Sequence, residues 1–333
     1  MPPIPLSCNS LERFWSSYSC WVWSETHLSD PVPRLSELSI AELSDRLRSS
    51  GLALSAPPFV FRIRSDIPAV AQGLHALYCH HGFDSADGGF ADFHISVTSK
   101  WRGLKRVSQF SMDGFEPFTP LAYDEAFALL EWGMNWCVTG HAHTWLTIHS
   151  AVLENKGCAL LLPAPPGSGK STLCAALMQH GWRLLSDEMA LLDPMTGLIT
   201  PSPRPVSLKN RSIDLVRSRA PGAVMGPEAH DTVKGRVAHL QASHKSVEAA
   251  SRCVPPAWIV FPRYEAGAPL TVLPRAKSTS LVELASNSFN QHVHGREGFE
   301  ALTAVVDRSA CFDLRYSQLD DALAWFDGLE SLL

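Results

Sequence analysis

Apolar and polar residues alternate with period two over Phe59-Val60-Phe61-Arg62-Ile63-Arg64, which predicts a strand. Before it, Leu38, Leu43 and Leu47 recur near the helical period, and Gly51 supplies a stop, so a helix is expected over 36–50. Ile67 to His80 reads as a second helix, led by Ser65-Asp66 and carrying Pro68 in its first turn. Phe93–Val97 and Val107–Met112 alternate as strands, and Asp113-Gly114 is a tight-turn pair. Leu121 to His141 is a long apolar helix. Residues 1–142 therefore read as an α+β lobe. Its first 34 residues are punctuated by Pro and Ser, but five aromatics between Phe14 and Trp23 predict that this stretch packs rather than remains solvated.

The pattern changes at Thr144. Two continuous apolar runs, 144–153 and 158–163, predict buried strands joined by Glu154-Asn155-Lys156-Gly157. A Gly-rich loop, a helix over 170–180 and a strand ending in Asp187-Glu188 follow, and the strand resumes over Met189–Leu192. This strand–loop–helix–strand order is of nucleotide-binding type. Pro201 to Pro205 reads as a loop, and the polar stretch 222–256 as a mobile loop with one helix. Late strands are expected at 258–262 and 270–273, and helices at 281–289, 298–306 and 320–329. The expected division is 1–142 and 143–333, with an α/β class for the second part.

Composition narrows the class without naming a chemistry. A chain of 333 residues with 45% apolar residues can bury a sizeable core, which excludes a mainly disordered or fibrous protein. The 28 basic residues are outnumbered by 33 acidic ones, so neither nucleic acid nor an anionic membrane is expected as a partner. The N-terminus lacks the pattern of a secretory signal, and no window is apolar enough to span a bilayer, so a cytoplasmic location is expected. The eight cysteines form no CxxC pair and read as small core hydrophobes of a reducing compartment.

Chemistry enters with Ala164-Pro165-Pro166-Gly167-Ser168-Gly169-Lys170-Ser171-Thr172. Apart from Ala164 in place of the first glycine, it fits G-x-x-x-x-G-K-[ST]. Gly167, Ser168 and Gly169 allow successive N–H groups to turn toward phosphate oxygens, and the positive end of the following helix lies at the same point. Lys170 supplies a cation for the β- and γ-phosphates. Ser171 offers a hydroxyl to Mg²⁺, and Thr172 continues the loop into the helix. Asp187 and Glu188 follow the lysine by 17 and 18 residues, where phosphoryl transfer needs a metal-side carboxylate and a base. His149 ends a strand-like run. His141 and His143 lack a third ligand in register, so a metal site there is not expected.

The stretch from His149 to Asp193 resembles HPr kinase/phosphorylase, a bacterial protein serine kinase. The histidine lies 21 residues before the loop lysine, a carboxylate (Glu154) lies five after the histidine, and the acidic pair is in register. Gly181-Trp182-Arg183-Leu184-Leu185-Ser186 is similar to the family's G-x-R-L-V-A. Further segments, among them Glu131–Cys137, Pro203–Asn210 and Phe261–Glu265, are similar to a subgroup described as HprK-related kinase A. The resemblance implies an HPr kinase/phosphoenolpyruvate carboxykinase-like P-loop core preceded by the α+β lobe. It also implies ATP and Mg²⁺, transfer to a hydroxyl, and assembly as a homo-oligomer. It puts His149 near the site and gives Asp187 and Glu188 the base and metal roles, with Asp187 the first choice for base and the order left open. The chain departs from the family in Glu188, where the family has Asp, and in lacking its Arg-Gly-x-Gly segment. HPr itself and the reverse reaction are therefore not implied.

Glu154, Arg204, Lys209 and Lys234 are the expected contacts to substrate or phosphate. The expected function is ATP-dependent transfer to a Ser/Thr-type hydroxyl of a peptide, protein or small molecule. Two alternatives stand beside it: a nucleotide-binding accessory switch without turnover, and a small-metabolite kinase.

Overall fold

The computed structural model describes residues 32–84, 89–165 and 167–329. The expectation for residues 1–34 lies almost wholly outside them. In chain order the strands are β1 (Leu52–Ala56), β2 (Phe59–Ser65), β3 (Phe83–Asp84), β4 (Phe93–Arg102), β5 (Lys105–Met112), β6 (Leu121–Ala122), β7 (Leu146–Asn155), β8 (Cys158–Pro163), β9 (Arg183–Ser186), β10 (Met189–Leu192), β11 (Ile199–Thr200), β12 (Val206–Lys209), β13 (Ala229–Thr232), β14 (Gly235–Leu240), β15 (Pro256–Tyr264), β16 (Thr271–Pro274) and β17 (Ala310–Tyr316). The helices are α1 (Ile40–Arg48), α2 (Pro68–Leu77), α3 (Ala126–His141), α4 (Lys170–Gln179), α5 (Arg211–Arg219), α6 (His244–Glu248), α7 (Lys277–Ser286), α8 (Gln291–Arg308) and α9 (Leu319–Asp327). The class is mixed α/β. Among the described residues no helix is long and apolar enough to cross a membrane.

The chain folds as two compact units, each built from two stretches of sequence. One comprises 32–142 and 202–249; the other comprises 143–201 and 250–329. One unit boundary falls between Ala142 and His143. The expectation that 202–249 belongs with the residues around it needs correcting. Strands β12, β14 and β13 form a three-stranded sheet of their own, to which Met225 adds a single bridge at Leu240. Their surroundings are first-unit residues: Gln241 Nε2 donates to the Ala76 carbonyl (2.5 Å), and the Phe127 and His239 rings meet edge-on at 5.6 Å. The stretch read as a mobile loop is thus a hairpin, β13–β14, followed by α6.

In the first unit a six-stranded sheet runs β3-β1-β2-β4-β5-β6, antiparallel except where β2 pairs β4. Phe61, Ile63, Phe93, Ile95, Val97 and Phe110 share one buried face. Helix α3 closes on it so tightly that a Cβ at Gly133 would stand 2.0 Å from the Phe110 ring. Helix α1 starts where Ser39 and Glu42 form a reciprocal capping box, one turn later than its periodicity suggests.

This unit also buries a polar cluster. The Tyr78 hydroxyl donates to Glu131 Oε1 (2.7 Å), and Arg204 Nη1 lies 3.9 Å from Glu131 Oε2. Burial raises the Glu131 carboxyl, against the pull of Arg204 and Tyr78. Burial also lowers His81 to about 4, against the weaker pull of the Pro203 carbonyl. A depressed histidine favours the neutral form in the fold. Its contribution is therefore complete above the ordinary value of 6.5 and is lost as pH falls toward 4. At about 1.36 kcal/mol per unit, the loss is on the order of 3 kcal/mol. Urea unfolding at pH 7 and pH 4 should show this loss, and a His81→Gln variant should show a correspondingly smaller fall over the same range. Equal falls in both proteins would remove His81 from the account.

The second unit holds an eight-stranded sheet in the order β11-β10-β7-β8-β15-β17-β16, with β9 also on β7. Strands β8, β15 and β17 are parallel. The core lies between the sheet and α7–α8, where Leu146, Ile148, Val152, Leu161, Ile259, Leu302 and Val305 are buried. Cys158 and Cys253 are disulfide-bonded, which corrects the reading of every cysteine as a free core hydrophobe. They sit where β8 meets the lead into β15, beside the bond from Ala159 N–H to the Pro255 carbonyl (2.8 Å), so the parallel pairing brings both to one seam. Cys137, Cys174 and Cys311 are buried and free.

Candidate active site

The Gly-rich loop lies beyond the carboxyl ends of the three parallel strands, the usual place for a ligand crevice in such sheets. Strand β8 ends at Pro163, and β15 and β17 end at the paired Tyr264 and Tyr316. Gly167 and Gly169 have φ of +87° and +89°, a conformation that L side chains disfavour. Ala164 is buried and is not among the residues with positive φ, so a methyl group in place of the first consensus glycine brings no backbone strain. Helix α4 begins at Lys170 with Gly169 at its cap, so the free N–H groups of its first turn face the loop. Two tyrosines fix the loop. Tyr264 N–H donates to the Ser168 carbonyl (2.9 Å), and the Tyr316 hydroxyl lies 3.4 Å from the Gly169 carbonyl. A Cβ on Gly169 would meet that hydroxyl at 2.8 Å.

The acidic pair reaches the loop through strand pairing. Strands β9 and β10 both pair with β7, β9 along Val152–Glu154 and β10 along Leu146–His149. Asp187 and Glu188 are the break between them, and Ser150 N–H donates to the Glu188 carbonyl (3.2 Å). His149, opposite Met189, is thereby held beside the break. Lys170 Nζ stands 2.8 Å from His149 Nε2 and 3.8 Å from Glu188 Oε2, and His149 Nε2 stands 3.3 Å from Glu188 Oε2. The Ser171 hydroxyl donates to Asp187 Oδ2 (3.3 Å). Asp187 is 4% exposed and lies against Cys174, whose thiol is held far up by burial and by the neighbouring Asp187 charge. The Glu188 side chain is 27% exposed. The buried acid thus faces Ser171 and the open acid faces His149 and Lys170.

Loop, lysine, serine, histidine and acidic pair therefore come together within one unit. Glu154 does not join them. Glu154 lies five residues beyond His149 on the same strand, about 16 Å along it at about 3.3 Å per residue. Its carboxylate takes Arg183 Nε (2.5 Å), Arg252 Nη2 (3.1 Å) and Gly157 N–H (2.6 Å). Burial alone would raise it, but these bonds and charges outweigh burial and hold it below the usual range. Glu154 is a structural anchor, not an open substrate contact. Arg204, Lys209 and Lys234 belong to the other unit. Arg204 is buried beside Glu131, and the Lys234 ammonium lies 5.3 Å from the centre of the Trp132 ring.

Sequence reasoning missed Tyr264, Tyr316 and Phe289, whose ring stands 5.9 Å from that of His149. Only the alternation in Asp313-Leu314-Arg315-Tyr316 signals the strand that brings Tyr316 to the loop.

Among the described residues no group of three or more His, Cys, Asp or Glu side chains is placed to hold a metal ion. The oxygen donors of Asp187, Glu188 and Ser171 nevertheless suit Mg²⁺, which takes one or two carboxylates and fills its remaining positions with phosphate and water. No protein-family model and no curated protein matches the chain.

Proposed function

We propose that the chain is an ATP-dependent phosphotransferase of the HPr kinase and phosphoenolpyruvate carboxykinase type, acting on a hydroxyl of a peptide, protein or small molecule. The observation that carries this reading is the convergence of Lys170, His149 and Glu188 within 3.8 Å beside the contact of Ser171 with Asp187. A glycine turn alone fits many ligands. A glycine turn with a helix-borne lysine, a hydroxyl bonded to a buried acid and a second, open acid fits phosphoryl transfer.

On this reading the N–H groups of the loop and of the first turn of α4 hold the phosphates, and Lys170 leaves its contact with Glu188 to neutralise them. Mg²⁺, when bound, would supply positive charge to offset that of the phosphates. Asp187 and Ser171 would hold it, as the hydroxyl–acid contact suggests. Glu188, freed from Lys170, takes the proton of the acceptor hydroxyl as that oxygen bonds to the γ-phosphorus and the bond from that phosphorus to the β,γ-bridging oxygen breaks, releasing ADP. His149 sets the position of the Glu188 carboxylate.

Exchange of Glu188 for Gln tests the roles. Loss of a general base should lower transfer from [γ-³²P]ATP by about 10²–10⁴-fold, with nucleotide affinity little changed. Asp187→Asn should instead raise the Mg²⁺ concentration needed for half-maximal rate. An array of Ser/Thr peptides, with polyols alongside, supplies the acceptors. Full transfer by Glu188→Gln would defeat the base assignment. Nucleotide binding with no transfer to any acceptor would favour the accessory-switch alternative.

A further inference from the structure

The outer face of the first unit's six-stranded sheet carries a row of cations that the phosphotransferase reading does not use. Strand register places Arg62 opposite His94 and Arg64 opposite Ser96, and alternation puts Lys100 and Arg102 on that face, with Lys105 opposite Arg102. Among the described residues the one acidic strand position of this face is Asp84 in β3, opposite Ala53 at the edge beside Arg62; β2, β4 and β5 hold none there. The nearby acids lie at its rim, and most are already engaged. Asp92 accepts from Val60 N–H (2.7 Å), Asp66 from Ser99 N–H (2.7 Å), and Glu116 pairs with Lys100. Arg64, His94, Arg102 and Lys105 are exposed. One end of the row is a concavity of about 260 Å³, lined by Arg62, Arg64, His94, Ser96, Ser111 and Asp113 among others. The other end is the tip of the β4–β5 hairpin, where Trp101 is 72% and Leu104 98% exposed.

We propose that this face binds an extended acidic peptide, with one carboxylate-bearing side chain in the concavity and an apolar residue against Leu104 at the hairpin tip. The charge row argues for a polyanion, since Arg64, Lys100, Arg102, Lys105 and His94 are exposed on one face of β2, β4 and β5, where those strands hold no acid. From His94 to Arg102 the row spans about 26 Å at about 3.3 Å per residue, the reach of an eight-residue extended segment. A single-stranded nucleic acid would need a series of aromatic rings on which to stack, and the outer strand positions carry only the His94 imidazole. An anionic bilayer suits the hairpin tip but not the far end, because a plane does not enter a concavity. The proposal is independent of the nucleotide chemistry.

Fluorescence anisotropy with a labelled octaglutamate peptide tests it on the full chain. At 50 mM salt the peptide should bind saturably, and 0.5 M salt should abolish binding. The double variant Arg64→Glu/Arg102→Glu should weaken it by at least about tenfold, while Arg64→Lys/Arg102→Lys retains it. Unchanged far-ultraviolet circular dichroism keeps the comparison valid, since both arginines are exposed. Vesicles with 30% phosphatidylserine and labelled oligothymidylate serve as rival probes. The proposal is overturned if octaglutamate does not bind, if the Glu double variant binds it equally, or if either rival binds more tightly and is lost in that variant.

Discussion

Replacing Lys170 with alanine is expected to cut nucleotide-dependent phosphoryl transfer by about 10²–10³-fold or more, the usual cost of removing one preorganised charge-stabilising donor. Lys170 is the cation that the helix start aims at the loop, and its ammonium already sits among anionic and imidazole partners. Its loss removes the group that would offset phosphate charge. It also leaves Glu188 beside His149 without the lysine. The fold should survive, because the side chain lies at the loop and not in the apolar core of the sheet. Rates should be compared at equal circular dichroism and with ATP binding measured separately. Wild-type turnover by the Lys170→Ala protein would show that the loop is an ordinary glycine-rich strand–helix connection.

The largest structural effect is expected at the other end of the same strand. Glu154→Ala removes the carboxylate that takes Arg183 and Arg252, and Arg183 is only 1% exposed. Breaking a buried pair on one side typically costs about 3–5 kcal/mol, because the remaining charge is left buried and unpaired. Replacing Arg183 with Met in the same protein should return much of that loss, which distinguishes an unpaired charge from simple loss of packing. The pH dependence has a definite sign. Because the folded value is held below the ordinary carboxylate range, the contribution is present above about 4.5 and disappears as pH falls through the folded value. Denaturant midpoints for the single and double variants decide the point. A Glu154→Ala midpoint unchanged from wild type would show the pair to be inert.

The nucleotide-type segment was readable because its signals are local. Glycines at fixed offsets, a strand before and a helix after determine the loop, and Gly167, Gly169 and the start of α4 follow that pattern. The acidic pair was readable by spacing, since the short strands β9 and β10 both return along β7. What it contacts was less legible. Which acid faces Ser171 depends on the break between β9 and β10, and nothing in Ser186-Asp187-Glu188-Met189 says which side chain turns toward α4. Glu154 looked like a site residue because the family resemblance puts a carboxylate five residues after His149. Five residues put it far along the strand and on the opposite face, where Arg183 binds it. Tyr264 and Tyr316 reach the loop only through parallel pairing, which joins segments distant in sequence. The same nonlocality hid the return of 202–249 to the first unit. Its strands are short and half polar, so their sequence reads as loop, and tertiary contacts such as that of Gln241 with Ala76 supply what propensity lacks.

The most direct test of the central claim is calorimetric titration of ATP into the full chain with and without Mg²⁺. The account predicts saturable one-site binding that strengthens with Mg²⁺, is lost in Lys170→Ala, and persists with weaker Mg²⁺ dependence in Asp187→Asn. Absence of ATP binding at millimolar concentration by a folded chain, or binding that Lys170→Ala leaves unchanged, would contradict it.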